Sequence, residues 1–129
     1  MKSTALSFVS LVVGLLLVAP LGGDLEAQER QERSFTAQVV DVACYTVHDL
    51  KDEGHRECAQ VCADQGVSLV LLDSDGRLYH PVGEAMPSSG VEENERLRPH
   101  AERMVNVTGT VINRGGLRTI VIQSVSAAQ

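Results

Sequence analysis

Tryptophan is absent from this chain, and two tyrosines with two phenylalanines bring the aromatic share to only 3%. Surfaces that stack nucleic-acid bases are built from aromatic side chains, so this scarcity argues against such a partner. Cations are scarce as well: 11 lysines and arginines face 17 aspartates and glutamates, a formal net charge of −6. An acidic chain repels a nucleic-acid backbone, which excludes that class a second time. No nucleophile paired with a base, no glycine-rich phosphate loop and no paired-carboxylate arrangement stands out, so the sequence predicts a protein without catalysis. Cysteine is sparse too, and its count of three is odd.

The N-terminus reads as an export signal. Lys2 supplies a positive start, Leu6 to Ala19 an apolar stretch, and Leu25-Glu26-Ala27 a small-residue cleavage site. The apolar stretch is about 14 residues long against the roughly 20 needed to span a bilayer, and Pro20-Leu21-Gly22-Gly23 breaks it. The expectation is a signal peptide over residues 1–27. No cysteine sits at the cleavage site to take a lipid, so the product is expected to be periplasmic or secreted, with no membrane anchor after cleavage.

Residues 28–33, Gln-Glu-Arg-Gln-Glu-Arg, hold no apolar position and predict a disordered leader. A single domain over residues 34–127 follows. Its first strand is expected from Ser34 to Cys44, with apolar parity switching from Phe35, Ala37 and Val39 to Val40, Val42 and Cys44. Such a switch predicts a bulge or strong coiling in one long strand that serves both halves of a small barrel. After a polar loop, Asp52 or Gly54 would cap a helix over about residues 53–65, which Gly66 ends. Segments 67–73 and 77–82 flank Asp75-Gly76, a strong hairpin signal. Ser89-x-x-Glu92 opens a second short helix, Pro99 stops it, and segments 103–112 and 117–125 form a final hairpin about Gly115-Gly116. The fold class predicted is mainly β: a five-stranded OB-like barrel with a Cys/His-bearing helix after strand 1 and a second helix between strands 3 and 4. Val40, Val42, Leu69, Leu71, Val105, Val107, Val111, Ile120 and Ile122 are the expected core.

Chemistry concentrates in Cys44 and in His55-x-x-Cys58-x-x-x-Cys62. On a helix the last three share a face, and Cys44 would complete a tetrahedral Cys3His site for zinc or copper. His48 is the alternative nitrogen ligand. Asp41 is the candidate acceptor behind a ligating histidine, beside the commoner role of capping a turn or facing water, and Tyr45 would pack over the site or over the barrel end. Exported proteins normally pair their cysteines, however, so a disulfide from Cys44 to a helix cysteine stands equally beside the metal. That alternative describes a stapled OB-like module that binds a protein or an envelope ligand. Thiol redox chemistry is a minor third reading, because the usual C-x-x-C in a thioredoxin-like setting is missing.

Three segments carry a likeness: Val40-Asp41-Val42-Ala43-Cys44-Tyr45, then His55-Arg56-Glu57-Cys58-Ala59-Gln60-Val61-Cys62, then Val105-Asn106-Val107-Thr108-Gly109-Thr110-Val111 with the Gly115-Gly116 turn. Together they resemble a group of small exported bacterial proteins of unassigned function. The resemblance implies an OB-like barrel behind a signal peptide and brings no established activity. Ser68 stands where those relatives often carry proline, a departure that touches no proposed ligand.

Overall fold

The computed structural model describes residues 30–129, so the expected signal peptide and the start of the leader lie outside the described residues. Five strands, β1 (Arg30–Asp41), β2 (Leu69–Asp73), β3 (Leu78–Pro81), β4 (Met104–Arg114) and β5 (Leu117–Ala127), close into a barrel in the order β1-β2-β3-β5-β4. Only β3 and β5 pair in parallel; the other neighbours are antiparallel. This is the OB-like barrel the alternation of apolar residues predicts. Helix α1 (Val42–His48) and helix α2 (Arg56–Asp64) follow β1, and α3 (Gly90–Leu97) lies between β3 and β4.

β1 is the strand shared by both halves. Residues Arg30 to Gln38 pair with β4, and Ala37 to Asp41 pair with β2. Neither ladder shifts register, so the parity switch in β1 is not a bulge. It marks burial on both faces. Ala37 and Val39 point into the barrel with Leu71, Tyr79 and Val107, whereas Val40 packs outward against Val70, Leu72, Val42 and Tyr45. The strand also differs at its ends from the expectation. Arg30 to Arg33 are paired strand rather than disordered leader, because a backbone ladder with β4 needs no apolar side chains on an exposed face. Cys44 lies in α1, since the Asp41 side chain accepts from the amides of Ala43 and Cys44 and turns the chain into a helix.

The register shift that does occur lies at Thr108/Gly109, where β4 meets β5. A Cβ at Gly109 would sit 2.4 Å from the Val121 carbonyl oxygen, so only glycine lets the two backbones approach there. The β4–β5 turn uses Gly115 and Gly116 at φ of 58° and 78°. Tyr79, absent from the expected core, is the largest fully buried side chain among the described residues. Buried Asn94 of α3 ties three segments together: its amide nitrogen donates to the carbonyls of Ala63 and Val67, and its oxygen accepts from the Leu69 amide.

In the β2–β3 turn, Asp73 accepts from the amides of Asp75 and Arg77 at 2.9 Å each and from the Tyr79 hydroxyl at 3.0 Å. Burial pushes its carboxyl up, but these donors and the Arg77 charge outweigh it and hold the group below its usual 3.8. A depressed carboxylate stabilises the fold above that pH and loses its contribution as the pH falls through it. Asp73→Asn is therefore expected to be less stable than the parent at neutral pH in urea titrations, with the gap closing as the pH drops below 3.8. Asn94→Ala is expected to cost about 2–3 kcal/mol in the same titration, because it strands buried backbone groups without partners.

Candidate metal centre

The site is assembled where β1 hands over to α1. Asp41 is fully buried; its Oδ1 accepts from Ala43 N at 2.8 Å and Cys44 N at 2.9 Å, and its Oδ2 has no partner. That cap sets Cys44 in the first turn of α1, beside the carboxylate. From the other side α2 brings Cys62, near its C-terminal end, to the same place. One carboxylate oxygen of Asp41 and the sulfurs of Cys44 and Cys62 lie within 4.8 Å of one another. All three cysteines are free thiols, two of them half-buried and Cys58 exposed.

The electrostatics of this trio favour a cation. Burial, then the charges of Asp41 and Cys58, push the Cys44 thiol up. Cys62 is pushed up to about 12 by burial and by the Asp41 carboxylate, with Cys58 adding to it. Negative charge is thus costly here unless something positive shares the space. A metal ion supplies that charge and takes thiolates and a carboxylate oxygen as ligands.

The expected ligands separate into two groups. Cys44 and Cys62 come together, with Asp41 itself among the donor atoms rather than behind a histidine. Cys58, one turn before Cys62 on α2, is close enough to disfavour ionisation of both other thiols but stays outside the 4.8 Å group. His55 also stays outside it. Its Nδ1 is 2.9 Å from Oε1 of Glu102 in a buried pair, and its Nε2 is buried without a partner. His48 is exposed, at the end of α1 and one turn beyond Cys44. Tyr45 packs on Val40, Val70 and Leu72, with the Lys51 ammonium 5.2 Å from its ring centroid, so it covers the barrel wall.

Glu102 is the partner of a candidate ligand that sequence reasoning misses. It lies 47 positions from His55, and no spacing rule connects them. Burial raises its carboxyl, with the His55 ring pulling the other way. The pairing is enforced from outside: Arg56 donates to the carbonyls of Ala101 and Pro99 at 3.1 and 2.7 Å, and Arg103 grips Glu53 through two bonds. These contacts clamp the start of α2 onto the segment before β4. A histidine whose Nδ1 is fixed by a carboxylate and whose Nε2 is left over has the orientation used by metal-ligating imidazoles.

Comparison with protein-family models, with curated proteins and with solved structures gives no match. The site is defined by its own geometry. Replacing Glu102 with Ala is expected to cost about 1–3 kcal/mol of stability, since it leaves the buried His55 ring unpaired, while Glu102→Gln, which keeps an acceptor, should recover most of the loss. Chemical denaturation of the two variants provides the measurement.

Proposed function

We propose that this is a small exported, non-catalytic protein that binds one transition-metal ion, zinc or copper, between α1 and α2. The observation that carries the proposal is the convergence of two thiols on a buried carboxylate that has an oxygen without a partner. Cys44 and Cys62 are the inner sulfur ligands and Asp41 the oxygen ligand. Cys58 closes the site from the solvent side by a change of rotamer. His55, held through Nδ1 by Glu102, is the nitrogen ligand in preference to His48, whose exposed ring has no such support. Export rests on the N-terminal segment and on the likeness to small exported bacterial proteins. A protein or another envelope component is the expected partner, and nucleic acid is not.

A second reading draws on the same convergence. Two thiols this close, in an oxidising compartment, can form a Cys44–Cys62 disulfide that staples α1 to α2. It would contribute about 3 kcal/mol by the loop-entropy estimate and make the protein a stapled binding module. Metal analysis and thiol counting on protein purified anaerobically from its native compartment separate the two. The metal reading expects about one zinc or copper per chain. Cys44→Ser and Cys62→Ser should each abolish binding and lower stability together, Cys58→Ser should weaken it, and His55→Ala should weaken it more than His48→Ala. Metal-free protein with one disulfide and one free thiol would overturn it.

A further inference from the structure

At the far end of β1 from the cysteines, the charge distribution points to a second site. Among the described residues, Lys51 and six of the arginines lie within 4.0 Å of a carboxylate, across an acidic molecule. Arg33, Arg114 and Arg118 do not. They share one end of the barrel: Arg33 is near the start of β1, Arg114 ends β4, and Arg118, opposite Asn113, begins β5. A chain with few cations leaves the unpaired ones together.

Two of the three are held in place. The Arg118 guanidinium lies 5.3 Å from the centroid of the Tyr79 ring and that of Arg33 lies 5.9 Å from it, with Arg33 also 5.4 Å from the Phe35 ring. Tyr79 is itself fixed, fully buried, its hydroxyl taking a bond from Arg33 and giving one to Asp73, both at 3.0 Å. The Asp73 carboxylate that Tyr79 reaches is already faced by Arg77. Packing against aromatic rings orients guanidinium groups without using up their N–H edges. Among the described residues Arg118 donates to no acceptor, and Arg33 only to Tyr79. On the outer wall at the same end of the barrel, Arg30 and Arg114 flank a groove of about 400 Å³ walled by Val82, Ile112 and Leu117, the last 56% exposed.

We propose that this barrel end binds a phosphate group, gripped by the guanidinium forks of Arg33 and Arg118. Paired forks match the oxygens of a phosphate, and the ring contacts spare the cost of ordering them on binding. The acidic remainder of the surface restricts the ligand to a compact anion, because a long polyanion would be repelled beyond the mouth. Free phosphate and the head group of an anionic phospholipid both carry the required chemistry. The proposal is independent of the metal reading.

Titration of the labelled protein with inorganic phosphate, followed through the arginine Nε–H and Tyr79 resonances and matched with chloride at equal ionic strength, tests the grip. Cosedimentation with vesicles of neutral phosphatidylcholine, with and without phosphatidylglycerol, tests the source. Saturable shifts with phosphate but no vesicle binding support a free phosphate ligand; binding to anionic vesicles supports a head group. In whichever assay binds, Arg118→Gln should weaken binding roughly tenfold or more, the worth of a charge-assisted hydrogen bond. Arg118→Lys should not restore it, and Arg96→Gln, at a site paired with Glu93, should leave it unchanged. Should Arg118→Gln unfold the protein, the exposed Arg114→Gln serves, with a smaller loss expected. Failure of both assays, or equal weakening by Arg96→Gln, would overturn the proposal.

Discussion

The Asp41 carboxylate carries out two tasks at one point in the chain. Through Oδ1 it accepts the first free amides of α1, and so ends the strand and starts the helix. The same bonds hold its other oxygen in the interior, facing the sulfurs that α1 and α2 deliver. Where the cap acts the chain leaves the sheet at Val42, and Cys44 sits in a helix beside Cys62 rather than further along β1. A buried carboxylate with half its hydrogen-bonding capacity unused is costly. Its presence at the meeting point of two thiols is what gives this small barrel a chemical centre.

Around that centre the polar interactions form a frame rather than a surface decoration. Gln38 donates to the carbonyls of Lys51 and Glu102, Arg56 and Gln60 reach the carbonyls between Arg98 and Ala101, and Arg103 returns to Glu53. The bonds of Arg56, Gln60 and Arg103 tie the α1–α2 excursion to the approach into β4, and Gln38 of β1 holds both. The arrangement brings His55 onto Glu102, a residue with φ of 60° whose own amide donates to the Val39 carbonyl. A backbone in that left-handed conformation, outside any turn glycine, is held because its surroundings over-determine it.

Barrel strands were legible because alternation along β4 and β5, and the turn signals at Asp75-Gly76 and Gly115-Gly116, are local properties. The two helices after strands 1 and 3 were legible for the same reason. Three features were not. Val40, Val42 and Cys44 alternate like a strand, and the Asp41 cap that interrupts them is a single side chain outweighed by β-branched neighbours. Residues 30–33 lack apolar character, yet they pair with β4 through backbone groups that composition does not reveal. The Glu102 contact to His55 is tertiary, made only once the chain has folded. For the site, the cysteines and the importance of Asp41 could be read in advance; which atoms meet could not, because that depends on where α1 begins.

β1 pairs with β4, whose residues arrive some seventy positions later in the chain, and this has a consequence for when the molecule can exist. Arg30 waits for Ile112 and Gln38 for Met104, so no closed barrel forms from an incomplete chain. Closure over so long a loop is slow relative to local hairpins and helices. Until β4 and β5 emerge, β1 offers an unpaired edge and the pieces of the cysteine centre have no common scaffold. A polypeptide with this wiring stays open while it is being made, and gains its shape and its cluster of thiols and carboxylate together, after the last strand is free.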